Sequence, residues 1–373
     1  MKETEINPAP GETEQTVFVY MPWSSNLTSY FQINISDFEK ALLKNPPTSE
    51  RVVVFFATSP SDATLFELKV EKGVNLRNTL KSYTDPAFTT AAGITSILND
   101  VQSFAPAKRY GMEVSSHGMG WIPVSQSASA AMRSAGIKFH WEHENVPLTR
   151  YFGGLTSQYQ TDITSLAEGI SDAGLKMEYI LFDDCYMSAI EVAYDLKDIT
   201  DHLIASPTEV MAYGMPYAEI GRYLVGNVDY YGITNGFYEF YKDYSTPCGT
   251  IAVTRTSELE ALAAVMKEIN QRFSFDQLQL NDIQRMDGYS PVIFFDYGDY
   301  VAKLCTDQGL LERFNAQLER AVPSLYSMHT PTYYSMSRGR VDIDAFSGTT
   351  VSDPSIHSLA AKKEQTAWYK ATH

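Results

Sequence analysis

The chain has 373 residues, 44% of them hydrophobic and 13% aromatic, which suits one large globular domain or two medium ones. Lys and Arg number 29 against 45 Asp and Glu, a net charge of −16, and a surface that negative repels phosphate backbones and argues against nucleic acid as a partner. Cys185, Cys248 and Cys305 are too few and too widely spaced for a disulfide framework or a zinc knuckle, and no apolar run reaches transmembrane length.

Residues 1–15, MKETEINPAPGETEQ, are polar and read as a disordered leader without a visible signal peptide. Thr16 to Tyr20 is a predicted strand, and Asn34 to Leu43 a helix with Ile35, Phe38, Ala41 and Leu42 at helical spacing. Arg51 to Thr58, RVVVFFAT, is apolar throughout, as in a parallel strand covered on both faces. Thr64 to Val70 alternates and predicts a half-exposed strand. A helix follows from about Thr89 to Phe104, then a strand running to His117 in MEVSSHGMGW. Residues 125–154 keep no periodicity and read as a functional or disordered insertion. Regular alternation resumes with a helix from Asp162 to Ala173 and a strand from Glu178 to Phe182. A helix from Tyr186 to Leu196 and a short strand from Leu203 to Ala205 come next.

The second half is less regular. Helices are expected over Tyr217–Val225, Ile233–Lys242, Glu258–Phe273, Pro291–Leu304, Leu310–Val322 and Gln365–Lys370, with a strand at Thr250–Thr254. Strand and helix in alternation predict an α/β fold with a mostly parallel sheet flanked by helices and a smaller helix-rich C-terminal extension. The expected division is the leader, a catalytic domain over 16–225 and a mixed subdomain over 226–373 packed on it.

In such sheets working residues collect outside the carboxyl ends of the strands. His117 ends one strand, and Cys185 follows another in YILFDDCYM. An imidazole beside a thiol can take its proton and make a nucleophile. Gly118 leaves the backbone free to approach a carbonyl and offers an N–H to an oxyanion. A helix starting just after Cys185 would bring positive partial charge to the sulfur. Asp183 and Asp184 oppose thiolate formation, which suits Asp183 better to binding a basic side chain. The competing reading is a buried structural cysteine beside a satisfied histidine.

The segments SSHGMGW and ILFDDCYMS, with the helix DITSLAEGI between them, resemble the clostripain family of cysteine peptidases, which shares a caspase-like fold with caspases, gingipains and legumains. The resemblance covers roughly 16–225 and is looser beyond. It implies a Cys185–His117 dyad without a required third member, with the N–H groups of Gly118 and Cys185 as oxyanion donors. It also implies Arg or Lys before the scissile bond, with Asp183 as the pocket acid. Better-known members carry a Gly- and Asp-containing turn after the Glu that is here Glu209; this chain has VMAYGM, so Met211 and Tyr213 are expected to line the pocket. Members are often made as zymogens and cut between the two strands, which points to self-cleavage at Arg133, Lys138 or Arg150. They are also commonly exported.

The expectation is therefore an exported, monomeric endopeptidase acting on proteins or peptides. The alternative is a catalytically silent binding protein of the same fold. No metal or cofactor is required. The cluster HWEHE, with His140, Glu142, His143 and Glu144, lacks the spacing of a zinc peptidase and reads as a solvated loop. Asp342, Asp344 and Asp353 are optional calcium ligands, though acids on an exposed strand face are the plainer account.

Overall fold

The computed structural model describes residues 11–124, 153–154, 157–244 and 246–373. The expected self-cleavage residues Arg133, Lys138 and Arg150, and the HWEHE cluster, lie outside them. Nine strands form the main sheet in the order β10-β8-β7-β6-β5-β1-β2-β3-β4. They are β1 (Thr13–Met21), β2 (Glu50–Ala57), β3 (Asp62–Glu71), β4 (Val74–Thr84), β5 (Ala107–Ser115), β6 (Met177–Asp183), β7 (His202–Ala205), β8 (Thr250–Arg255) and β10 (Met328–His329). The five central strands, β7, β6, β5, β1 and β2, run parallel. The pairs outside them are antiparallel.

Helices cover both faces, as parallel connections require. They are α1 (Thr28–Lys44), α2 (Ala91–Phe104), α3 (Ile163–Asp172), α4 (Ile190–Leu196), α5 (Tyr217–Leu224), α6 (Tyr230–Lys242) and α7 (Leu259–Arg272). Phe31, Ile35, Phe38 and Leu42 of α1 join one core layer with apolar residues of α5 and α6. Ile94, Ile97, Leu98 and Val101 of α2 join the opposite layer with α3, α4 and α7. Strand β6 feeds both, since Tyr179 and Leu181 face the first layer and Ile180 and Phe182 the second.

The C-terminal part adds β9 (Phe295–Asp296), α8 (Tyr297–Leu304), α9 (Gln308–Ala321), β11 (Thr332–Ser335), β12 (Gly339–Asp342), β13 (Thr350–Val351) and α10 (Ala367–Thr372). Strands β11 and β12 make an antiparallel hairpin, and β13 pairs with β9. Because β8 and β10 lie in the main sheet, residues on both sides of the expected 225/226 division share one sheet. Strand β1 also starts at Thr13, inside the expected leader.

Three local expectations are corrected. Strand β4 was not anticipated, because its exposed edge position needs no apolar alternation; it turns back from β3 through Lys72 and Gly73, both at positive φ. Helix α8 starts at Tyr297 rather than Pro291, where Asp296 caps it by accepting from the Asp299 N–H at 2.9 Å. The helix after Cys185 starts at Ile190 rather than Tyr186, since Tyr186 has φ 62° and Ala189 is extended.

Candidate active site

Strands β5 and β6 are parallel neighbours, with Ser115 opposite Asp183 at their carboxyl ends. The chain leaves β5 through Ser116, His117 and Gly118, and leaves β6 through Asp184, Cys185 and Tyr186. A Cβ at Gly118 would sit 2.3 Å from the Cys185 carbonyl oxygen and 2.7 Å from its nitrogen, so only glycine permits this approach. The residue after the imidazole is thus in backbone contact with the residue that bears the thiol. Asp184 ties the two ends further, its Oδ1 accepting from the Ser116 N–H at 2.5 Å. It therefore turns toward β5.

His117 is fully buried, and its Nε2 lies 2.9 Å from Oδ1 of Asn26 in the short helical turn after β1. An amide oxygen only accepts, so Nε2 is the donor of this pair. Asn26 was missed in the sequence because nothing in MPWSSNL marks it. Its one signal is position, since the loop leaves the carboxyl end of β1, next to β5. His117 N–H also donates to the Gly153 carbonyl at 3.4 Å, bringing the far end of the insertion to the histidine.

Cys185 is fully buried as well. With α4 starting at Ile190, the expected helix N-terminus does not directly follow the thiol. A backbone donor is there instead, because the Val210 N–H points at Sγ from 3.2 Å. Asp183 is buried on the β6 face that carries Tyr179 and Leu181. Its Oδ1 accepts from the Met215 N–H at 2.8 Å, and the Ser115 hydroxyl is 3.4 Å from Oδ2. Glu113, two residues before Ser115 on the same strand face, is buried below it. Burial pushes the Glu113 carboxyl well above the usual range, Tyr217 opposes this by hydrogen bonding, and Asp183 adds to it by repulsion.

Met211 packs in the core layer on the Asp183 side of the sheet. Tyr213 is directed toward α1 and α6: its hydroxyl meets Asp37 Oδ2 at 2.5 Å and its ring stacks on Phe240 at 4.9 Å. Asp342 and Asp344 are exposed near the β12 end, while Asp353 Oδ2 is buried. Among the described residues, no group of three or more His, Cys, Asp or Glu is arranged to hold a metal ion. Nor does any described helix have the length and apolarity to cross a membrane.

A sequence model of the clostripain family matches residues 19–316. The chain is similar to the secreted cysteine protease "iotapain" of Bacteroides thetaiotaomicron, with 64% identity, 98% of this chain and 100% of that one covered, and a TM-score of 0.90. A clostripain from the same organism, solved in complex with the peptide inhibitor BTN-VLTK-AOMK, is 70% identical over 60% of this chain and 99% of its own, with a TM-score of 0.59. An inactive zymogen protease from Parabacteroides distasonis is 25% identical over 98% and 99% of the two chains, with a TM-score of 0.80. No curated protein matches.

Proposed function

The chain belongs to the clostripain family of cysteine proteases, and from that premise we propose that Cys185 is the nucleophile and His117 the acid and base of an endopeptidase that cleaves after Lys or Arg. The observation that carries this reading is the backbone contact at Gly118, which joins the histidine and cysteine strand ends. His117 takes the Sγ proton, and the sulfur attacks the scissile carbonyl carbon. The Gly118 and Cys185 N–H groups receive the oxyanion. His117 then gives the proton to the leaving nitrogen, the C–N bond breaks, and an acyl-thioester remains. A water that loses its proton to His117 attacks this thioester and expels the sulfur. Asn26 holds the ring by Nε2 through both half-reactions, so proton transfer falls to the other nitrogen.

Specificity for a basic side chain is supported by the buried Asp183 carboxylate, with Met211 on the same side of the sheet. The inhibitor bound by the 70%-identical relative supports it too, since its peptide part, VLTK, ends in lysine. Tyr213, whose hydroxyl meets Asp37, is the further lining residue this reading expects. The test is a fluorogenic panel with Lys, Arg, Asp, Asn or Leu before the reporter, with Cys185→Ala as the inactive control. Asp183→Asn should lower kcat/KM for Lys and Arg by about 10- to 100-fold, the worth of one charge-assisted hydrogen bond, and spare Leu. Equal losses across the panel would remove Asp183 from the pocket.

The thiol, the imidazole and Asp183 are all buried, which fits a latent form. Activation by self-cleavage at Arg133, Lys138 or Arg150 accords with this, as does the inactive zymogen among the relatives. N-terminal sequencing after incubation should find a new terminus behind one of these residues in the wild type and none in Cys185→Ala. The same intact chain in both would sink the idea. Export follows the secreted relatives. A monomer in sedimentation and activity that survives EDTA are the further outcomes expected.

A further inference from the structure

Tyr186, the residue after the thiol, sits at φ 62°, in the left-handed region that a bulky side chain rarely adopts. Its ring is fully buried and stacks on Phe294, with centroids 4.9 Å apart and planes at 16°. Packing holds the ring but does not satisfy the hydroxyl, and a buried hydroxyl needs an acceptor. Glu209 provides one: the Tyr186 hydroxyl donates to its Oε1 at 2.6 Å. Burial, and then the charge of Glu209, hold the Tyr186 hydroxyl well above its ordinary pKa, so it stays a donor. The other Glu209 oxygen accepts from the Met336 N–H at 2.8 Å, in the turn between β11 and β12. Glu209 also lies between two backbone contacts to the thiol-bearing turn, Tyr186 N–H to the Thr208 carbonyl at 3.0 Å and Val210 N–H to Cys185 Sγ at 3.2 Å.

We propose that Glu209 is a positioning residue: by bridging the Tyr186 hydroxyl and the Met336 amide, it fixes the left-handed turn that presents Cys185 and couples that turn to the β11–β12 hairpin. The hairpin lies more than a hundred residues further along the chain, so this buried carboxylate is one route by which the C-terminal part acts on the thiol-bearing turn. Glutamine in its place keeps one acceptor but turns an amide N–H₂ toward a second donor, either the hydroxyl or the Met336 N–H.

The inference rests on Cys185 being the nucleophile for its kinetic readout but not for its chemical one. Glu209→Gln and Tyr186→Phe are each compared with the wild-type full chain. One readout is turnover of a lysyl peptide, and the other is the rate at which iodoacetamide alkylates Cys185, followed by peptide mass. Each variant should lose about 10- to 100-fold in kcat, the cost of misplacing a reacting group by about 1 Å, with KM little changed. Alkylation of Cys185 should change in both variants in the same sense. The double variant should be no worse than the weaker single, because both changes break one link. Tyr186→Phe retains the stacked ring, so it tests the link even where Glu209→Gln does not fold. Wild-type kcat and alkylation in both, or losses that multiply in the double variant, would overturn the proposal. Full activity in Cys185→Ala would instead sink the nucleophile assignment, leaving the alkylation comparison to decide on Glu209.

Discussion

At the end of β5, the His117 ring meets Asn26, an exposed residue from the N-terminal part of the chain. At the end of β6, the turn that bears Cys185 is fixed by buried contacts, several of them to the last forty residues. Ser188 N–H donates to the Ser206 carbonyl at 3.0 Å, the Ser188 hydroxyl to the Gly348 carbonyl at 2.7 Å, and Thr350 N–H to the Ser188 carbonyl at 2.9 Å. Glu191, in the first turn of α4, accepts from the Ser352 N–H at 2.7 Å. The thiol therefore sits on a frame shared with the C-terminal part, while the imidazole meets an exposed side chain of the turn after β1. An attacking group gains from a fixed frame.

The two ends meet at Gly118, so the largest effect is expected there. Gly118→Ala puts a methyl group against the Cys185 backbone, which no rotamer change relieves. Activity should fall by about 100-fold or more, with a stability loss of about 1–3 kcal/mol from overpacking. Native activity and an unchanged denaturant midpoint would show that the ends are not held so close. Asn26→Ala tests the histidine side. Its kcat should fall about tenfold from loss of ring orientation, with the denaturant midpoint unmoved because the residue is exposed. A lower midpoint with kcat intact would make Asn26 a structural cap and break the contrast.

The same contrast separates what the sequence displays from what it conceals. The apolar run RVVVFFAT and the paired motifs SSHG and DDCYM are local, and they mark central strands and set His117 and Cys185 just beyond two strand ends. The supports are not local. Asn26 and His117 are 91 residues apart, Glu209 and Met336 are 127, and Glu191 and Ser352 are 161. Each of these contacts uses a common polar residue whose importance depends on what folding brings to it, so no spacing announces it. The helix start was misjudged for a related reason. Residues 186–196 look helical by composition, but the left-handed Tyr186 is imposed by its surroundings and delays α4 to Ile190. Strand β4 escaped notice because an edge strand with exposed side chains has no apolar pattern to detect.

The smallest expected effect, on stability alone, comes from the C-terminal frame. The Glu191 carboxyl is raised to about 8, first by burial and then by repulsion from Asp353, whose own carboxyl burial lifts to about 7. Each folded-state value lies above the ordinary one, so the folded chain keeps protons that the unfolded chain has released. For Glu191 that window runs from about pH 4.5 to about 8. The stability this carboxyl contributes is present below the window and is lost as pH rises through it. Glu191→Gln mimics the protonated side chain and keeps an acceptor for the Ser352 N–H. It should melt with the wild type at pH 4.5 and on the order of 3 °C above it at pH 8, while kcat is unchanged. A shallower slope should persist from about pH 4 to 7, because Asp353 still titrates there. Melting curves for the two proteins at five pH values decide the matter: parallel dependences across the series would mean that Glu191 stays ionised in the fold and that the C-terminal frame carries a charge at the thiol-bearing turn rather than a proton.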